Sequence, residues 1–294
     1  MTTASPVLRI GQFSESPVLA VARGLGLDEV YQLDWTTSRV PSSPAQFEWL
    51  RDDEIDIAIT SPDNVMLYAS TEKNPLGQTL DLRFLRTIDR GLGLALYTRP
   101  EIASVDELAG CTLGVDVMSS GFALLLLAIL EELGVDASTV TFEPVGATPK
   151  RLEAIVEGAI QGSILNAEAA VSATDNGLKR WASSVDVSDN YLGTVLASLA
   201  GSQGATMDRF LGMWDEATQE ILDRPADEVV EILSAQAPGL AHVSYVKLLQ
   251  SSDFGLLATP RVTVEHLEVL ADIRVSAGAW APEKTALEDL VGRG

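Results

Sequence analysis

The sequence predicts an α/β protein of two lobes, built on mostly parallel sheets with a helical C-terminal tail packed back on the first lobe. Three observations carry this. Strand and helix signals alternate to about residue 97, and a second such set runs to about residue 193, the pattern of parallel sheets covered by helices. Four helix starts are marked by a hydroxyl residue before proline: Ser16-Pro17, Ser43-Pro44, Ser61-Pro62 and Thr148-Pro149. After Gly201 the apolar periodicity turns helical almost throughout, with too few strands for a third α/β unit.

The clearest junction lies between Glu54 and Tyr68. Ile55, Ile57 and Ile59 alternate with Asp56, Ala58 and Thr60, a strand pattern. It stops at Ser61-Pro62-Asp63, which offers a capping hydroxyl, a preset φ and a first-turn carboxylate. Before it, Val7 to Phe13 reads as strand, Ser16-Pro17 opens a short helix ended by Gly24 and Gly26, Leu33 to Thr37 is a strand, and Ser43-Pro44 opens a helix. After it, Leu80 to Thr98 holds two extended segments parted by Asp89-Arg90-Gly91. Ser104 and Glu107 form a capping box for a short helix ending at Gly110. Leu113 to Asp116 is a strand, and Ser119-Ser120-Gly121 leads into a helix to Leu133. Val140 to Val145 is a strand, Thr148-Pro149 opens a helix ended by Gly158, and Ser163 to Asn166 is a strand before a helix from Ala167. Val185 to Ala200 mixes strand signals, and tail helices are expected over Met207–Leu222, Ala226–Gln236, Ser244–Gln250 and Val264–Ala277. These readings divide the chain into lobe 1 (residues 1–97 and 194–294) and lobe 2 (98–193) with a ligand cleft between them.

Composition narrows the function. With 42 acidic and 20 basic residues the net charge is −22, which repels nucleic acid and anionic membranes. Cys111 is the single cysteine, so no internal disulfide or cysteine metal cluster forms. His242 and His266 lie in the tail, far from any glycine-rich turn, which argues against a histidine triad or metal centre. No dinucleotide fingerprint, phosphate-binding loop or nucleophile elbow occurs, so no cofactor is expected. Phe122 to Leu130 is the longest apolar run and is too short to span a bilayer. The N-terminus carries no secretory signal, so the expected location is the cytoplasm, or the periplasm or exterior if an export signal has been removed.

Four strand-to-helix junctions bring free N–H groups and small hydroxyl side chains to one sheet edge: Ser14–Ser16, Ser61–Asn64, Ser119–Phe122 and Gly146–Thr148. Such edges hold small polar or anionic groups, although each junction alone is also an ordinary helix cap. Asp63, Asp89 and Asp116 are the ionisable candidates, with capping as their competing role. Two of them facing one pocket would favour a cationic or N–H-rich ligand. Phe13, Phe122 and Tyr191 could wall the pocket, and Asn166 adds a polar group.

The segments Leu50–Ala69, Leu113–Ala123, Val145–Leu152 and Leu165–Ala167 resemble those of ABC-transporter solute-binding proteins, in the sulfonate/nitrate/taurine-like and pyrimidine-synthesis-like group. The resemblance implies a type II periplasmic-binding-protein fold whose lobes close by hinge motion on one small organic molecule, with an ABC permease as partner. Its implied ligand contacts are Ser14, Asp63, Asn64 and Asp89 from lobe 1, and Ser119, Ser120, Gly121 and Asn166 from lobe 2. Glu168 departs from the group, which more usually has proline there. The competing expectation is a cytoplasmic, cofactor-free lyase or decarboxylase using Asp63 or Asp89 in the same cleft.

Overall fold

The computed structural model describes residues 7–202, 204–258 and 261–293. Two five-stranded sheets organise them. The first runs β2-β1-β3-β10-β4, with β1 (Val7–Gln12), β2 (Asp34–Arg39), β3 (Ile57–Thr60), β4 (Leu82–Asp89) and β10 (Thr194–Leu199). β1 pairs parallel with β2 and β3, while β10 runs against both β3 and β4. The second sheet runs β7-β6-β8-β5-β9, with β5 (Ala95–Thr98), β6 (Thr112–Val115), β7 (Thr141–Pro144), β8 (Gly162–Leu165) and β9 (Lys179–Ser183). Here β5 is the reversed strand, antiparallel to β8 and β9. Each sheet is thus mostly parallel, with one strand inserted against the rest.

The reversed strands β5 and β10 are the ones that exchange sheets. The chain leaves the first sheet at Asp89 and enters the second at Ala95, so Ala95 to Tyr97, placed in lobe 1 on sequence, belong to the second sheet. It returns between Ser183 and Thr194. The two crossings touch: the Gly193 N–H donates to the Asp89 carbonyl (2.9 Å), and a Cβ on Gly193 would lie 2.4 Å from the Gly91 Cα. Glycine permits that approach. Tyr191, read as a cavity wall, is buried here against Gly91.

Helices cover the first sheet as α1 (Pro17–Gly24), α2 (Leu27–Tyr31), α3 (Ser43–Arg51) and α4 (Pro62–Ser70), and the second as α5 (Gly121–Glu132), α6 (Thr148–Glu157), α7 (Ala167–Asp175) and α8 (Ser184–Val187). The tail forms α9 (Ala205–Asp223), α10 (Ala226–Gln236), α11 (Val243–Leu249), α12 (Val264–Ser276) and α13 (Lys284–Gly292). Helices α9 and α10 pack on α1, and α13 packs on α4 and β4, all in the first lobe. Helix α12 reaches further and touches both α4 and α5.

Strand alternation sorts the core. Ile57 joins an apolar cluster with Val18, Leu196, Phe210, Trp214 and Val246, while its neighbour Ala58 points to a second cluster on the opposite face. That second cluster runs from Phe84 and Val195 of the first sheet through Val65, Leu125 and Leu270 to Leu113 and Ile164 of the second. Helix α5, apolar on nearly every side, is buried within it, as an all-round hydrophobic helix must be. Among the described residues no helix is long and apolar enough to cross a membrane.

Candidate functional site

The carboxyl ends of β1, β3, β6 and β8 and the helices that follow them face one another across a gap that holds a cavity of about 120 Å³. That is well above the ~10–15 Å³ needed by one water. One side is apolar: Val18, Ile88, Leu92, Trp214, Tyr245 and Leu256 line it and belong to a single hydrophobic cluster. Phe13 and Phe122 add aromatic surface from the two lobes. Polar groups come from Ser43, Asn64, Asp89, Asp116, Ser120, Thr148, Arg151 and Asn166.

Local capping decides which hydroxyls are available. Ser16 and Ser61 cap α1 and α4 through their side chains, accepting from Leu19 N (3.3 Å) and Asp63 N (3.2 Å). The other two hydroxyl-proline starts are shifted by one residue: Ser42 caps α3, Ala147 holds the cap position of α6, and Ser43 and Thr148 become first-turn residues. Their side chains are released to the gap. Ser43 donates from both its backbone N–H (2.9 Å) and its Oγ to Asp116 Oδ2. Thr148 Oγ1 accepts from Arg151 Nη2 (2.9 Å).

Several of these bonds tie one lobe to the other. Asn64 donates from Nδ2 to Ser43 Oγ and Thr60 Oγ1 (both 3.3 Å), and its Oδ1 accepts from the Gly121 N–H across the gap (3.2 Å). Asn166 caps α7 through Oδ1 and donates from Nδ2 to Ser14 Oγ (2.7 Å). At the rim, Glu168 accepts from the Glu15 N–H (3.2 Å) and from Arg39 (3.3 Å), and the Ala147 N–H donates to the Pro41 carbonyl (3.3 Å). The residue that departs from the resembled group therefore bonds across the gap, and its role as a latch is testable. An ion pair this exposed is worth less than about 1 kcal/mol and is screened by salt. Glu168→Gln is expected to loosen closure slightly and to remove its salt dependence, read as the radius of gyration at low and high ionic strength. An unchanged salt response in the variant would refute the latch.

Of the eight sequence-nominated contacts, Ser14, Asn64, Asp89, Ser120 and Asn166 line the cavity, while Asp63, Ser119 and Gly121 do not. Asp63 is engaged elsewhere. Its Oδ2 lies 2.6 Å from Arg274 Nη1 of α12, both side chains nearly free of solvent (3% and 2%). Burial pushes the Asp63 carboxyl up and Arg274 pulls it back, so the pair is a structural brace. Ser119 is half-buried beside the cavity-lining Ser120, and Gly121 offers its only N–H to Asn64. Asp89 lines the cavity but is spoken for: Oδ1 accepts from Gly91 N (2.8 Å) and Leu92 N (2.9 Å), and Oδ2 accepts from Thr194 Oγ1. Burial raises its pKa against these bonds, which lower it.

Sequence reasoning passed over Arg151, Trp214 and Tyr245. Arg151 is buried and donates to Ser163 Oγ (2.9 Å), the carbonyls of Gly146 (2.5 Å) and Ile164 (3.3 Å), and Thr148. Burial lowers its pKa to about 10, opposed by the field of Asp116. Its visible signal was the run Thr148-Pro-Lys-Arg151, which places Arg151 on the first turn after the junction. Trp214 and Tyr245 carry no local signal, because they reach the site from the tail. No group of metal-ligating side chains occurs among the described residues.

No family model and no curated protein matches this sequence. Solved structures do match it across nearly the whole length. The alkanesulfonate-binding protein SsuA of Xanthomonas axonopodis pv. citri, bound to MOPS, is 17% identical, with 98% of this chain and 99% of that one covered at a TM-score of 0.75. The ligand-binding component of an ABC-type import system of Staphylococcus aureus is 13% identical, with 99% and 100% covered at 0.74. A Candida albicans gene product described as exhibiting the generic periplasmic binding protein fold is 16% identical, with 98% and 95% covered at 0.72. The sheet order, the two crossings and these superpositions agree: the chain has the periplasmic-binding-protein fold, the one shared by sulfonate-binding proteins and other components of ABC import systems.

Proposed function

We propose that this protein is a small-molecule binder that closes two lobes around an organic solute, in the manner of the solute-binding component of an ABC uptake system. The single observation that carries the reading is the cavity itself. It lies between the lobes, is walled by side chains from both sheets and the tail, and is spanned by hydrogen bonds that exist only when the lobes meet. The moving bodies in this reading are the two sheets with their helices, and the pivot is the pair of touching crossings at Asp89–Ala95 and Ser183–Thr194. The five nominated residues that line the cavity supply polar contacts, with Ser43, Thr148 and Arg151 added to them. An ABC permease is the partner in this reading, which the likeness to components of ABC import systems supports.

The enzyme alternative draws less support from the geometry. Asp63 is neutralised by Arg274 away from the cavity wall, and both oxygens of Asp89 already accept hydrogen bonds. A general base needs a lone pair aimed at substrate, and three of the roughly four acceptor sites of Asp89 are taken.

Native mass spectrometry of the purified protein identifies any retained ligand. Small-angle scattering before and after its removal is then expected to show expansion. A ligand that leaves without any change in the radius of gyration would count against hinge closure.

A further inference from the structure

Asp116 follows β6 and lines the cavity as a buried residue. Its Oδ2 is held by the Ser43 N–H at 2.9 Å and by the Ser43 hydroxyl, which fixes the carboxylate plane from the opposite lobe. Its Oδ1 is shut off from solvent and has no hydrogen-bond partner among the described residues. An acceptor stripped of water and left unmatched costs about 1–3 kcal/mol, and more when charged. Of the buried polar side-chain atoms without a partner among the described residues, it is the one whose residue lines the cavity, where water, an ion or a ligand can complete it.

The surroundings narrow what completes it. Arg151, the buried cation of the same cavity, donates only to neutral oxygens and makes no ion pair with Asp116, although the two attract through space. Of the remaining carboxylates of the lining, Asp89 and Glu168 are already engaged by Thr194 and by Arg39, and Glu15 is a half-buried residue whose N–H is bonded to Glu168. The opposite wall, with Trp214 and Tyr245, suits a compact apolar or aromatic body.

Resting on the binding reading above, we infer that the solute carries an N–H donor, an amine, amidine or ring amino group, that pairs with Asp116 Oδ1, while its apolar body lies against Trp214 and Tyr245. A sulfonate or carboxylate head at this position would bring like charge against that oxygen. Asp116 is then the residue that selects between donor-headed and anion-headed solutes.

The test uses benzylamine, benzamidine and benzenesulfonate, three probes with one ring and different heads, titrated calorimetrically into the full chain and into Asp116→Asn. Benzylamine or benzamidine is expected to bind at least about tenfold more tightly than benzenesulfonate. Asp116→Asn, which keeps an acceptor for Ser43 but presents an amide to the cavity, is expected to abolish that preference while melting no lower than the parent. If Asp116→Asn does not fold, Asp116→Ser takes its place with the same expectation. Preference for benzenesulfonate in the parent, or amine binding unchanged in both variants, overturns the assignment of Asp116 and leaves the cavity as a binding site. Failure of all three probes to bind overturns the assignment, while the binding reading stands or falls separately on the retained ligand and the scattering change on its removal.

Discussion

Arg274→Met is expected to destabilise the fold by about 3–5 kcal/mol, the cost of leaving a buried charge without its partner. Arg274 Nη1 meets Asp63 Oδ2 at 2.6 Å, and its Nε also donates to the Trp280 carbonyl at 2.6 Å. The methionine variant fills the volume but strands Asp63 at the amino end of α4. The loss depends on pH with a definite sign. Without the guanidinium, burial alone acts on Asp63, and its folded-state pKa rises further above the unfolded value. A carboxyl whose folded pKa is raised binds a proton more readily in the native state, so the variant regains stability as pH falls through that raised pKa toward about 4. The double variant Asp63→Asn, Arg274→Met removes the stranded charge and is expected to recover most of the loss. Chemical denaturation at neutral and mildly acidic pH separates these cases. An Arg274→Met loss that is small, or that grows on acidification, would show that the pair does not brace α12 against α4.

Gly121→Val is expected to hold the lobes apart. A Cβ on Gly121 would lie 2.5 Å from Ser61 Oγ and 2.7 Å from Asp63 Cβ, inside the contact that lets α5 approach α4. Overpacking of this kind costs about 1–3 kcal/mol when the structure cannot relax. Here relaxation has an obvious direction, because the clash lies between lobes rather than within one. The variant therefore stays folded, loses the Gly121 to Asn64 bond across the gap, and shows a larger radius of gyration with weakened binding of whatever ligand the parent retains. Parent-like scattering and ligand retention in Gly121→Val would mean that α4 and α5 do not have to approach for closure. The variant also separates two uses of Ser61-Pro62-Asp63: the cap on α4 survives, whereas the docking surface it offers to α5 does not.

Much of this architecture can be read locally. The Ile57–Thr60 strand running into Ser61-Pro62, and the Leu113 to Gly121 stretch, show their periodicities and caps within a dozen residues, so hydrogen bonds and burial a few positions apart suffice to place them. The strand β9 and the helix α13 were not anticipated. β9 is short, half-buried and carries Lys179 and Arg180, so it lacks a clean alternation. Ala95 to Tyr97 read as lobe 1 because a strand pattern does not say which sheet it joins. The same limit applies to side chains. Asn166 caps α7 and also reaches Ser14, and only the cap is a local matter.

By itself the sequence determined the alternation of strand and helix, the junctions that gather hydroxyl, amide and carboxylate groups at strand ends, and the acidic balance that turns the protein away from nucleic acid. Tertiary structure alone decided which of those groups remain available. Asp63 is consumed by an arginine 211 positions away, Asn64 by Gly121 and Ser43, and Asp89 by Thr194, while Asp116 keeps one oxygen unmatched and Trp214 and Tyr245 close the wall. The reason is physical: a polar group's identity is set by its own covalent chemistry, but its free valence is set by whatever folding brings within hydrogen-bond distance.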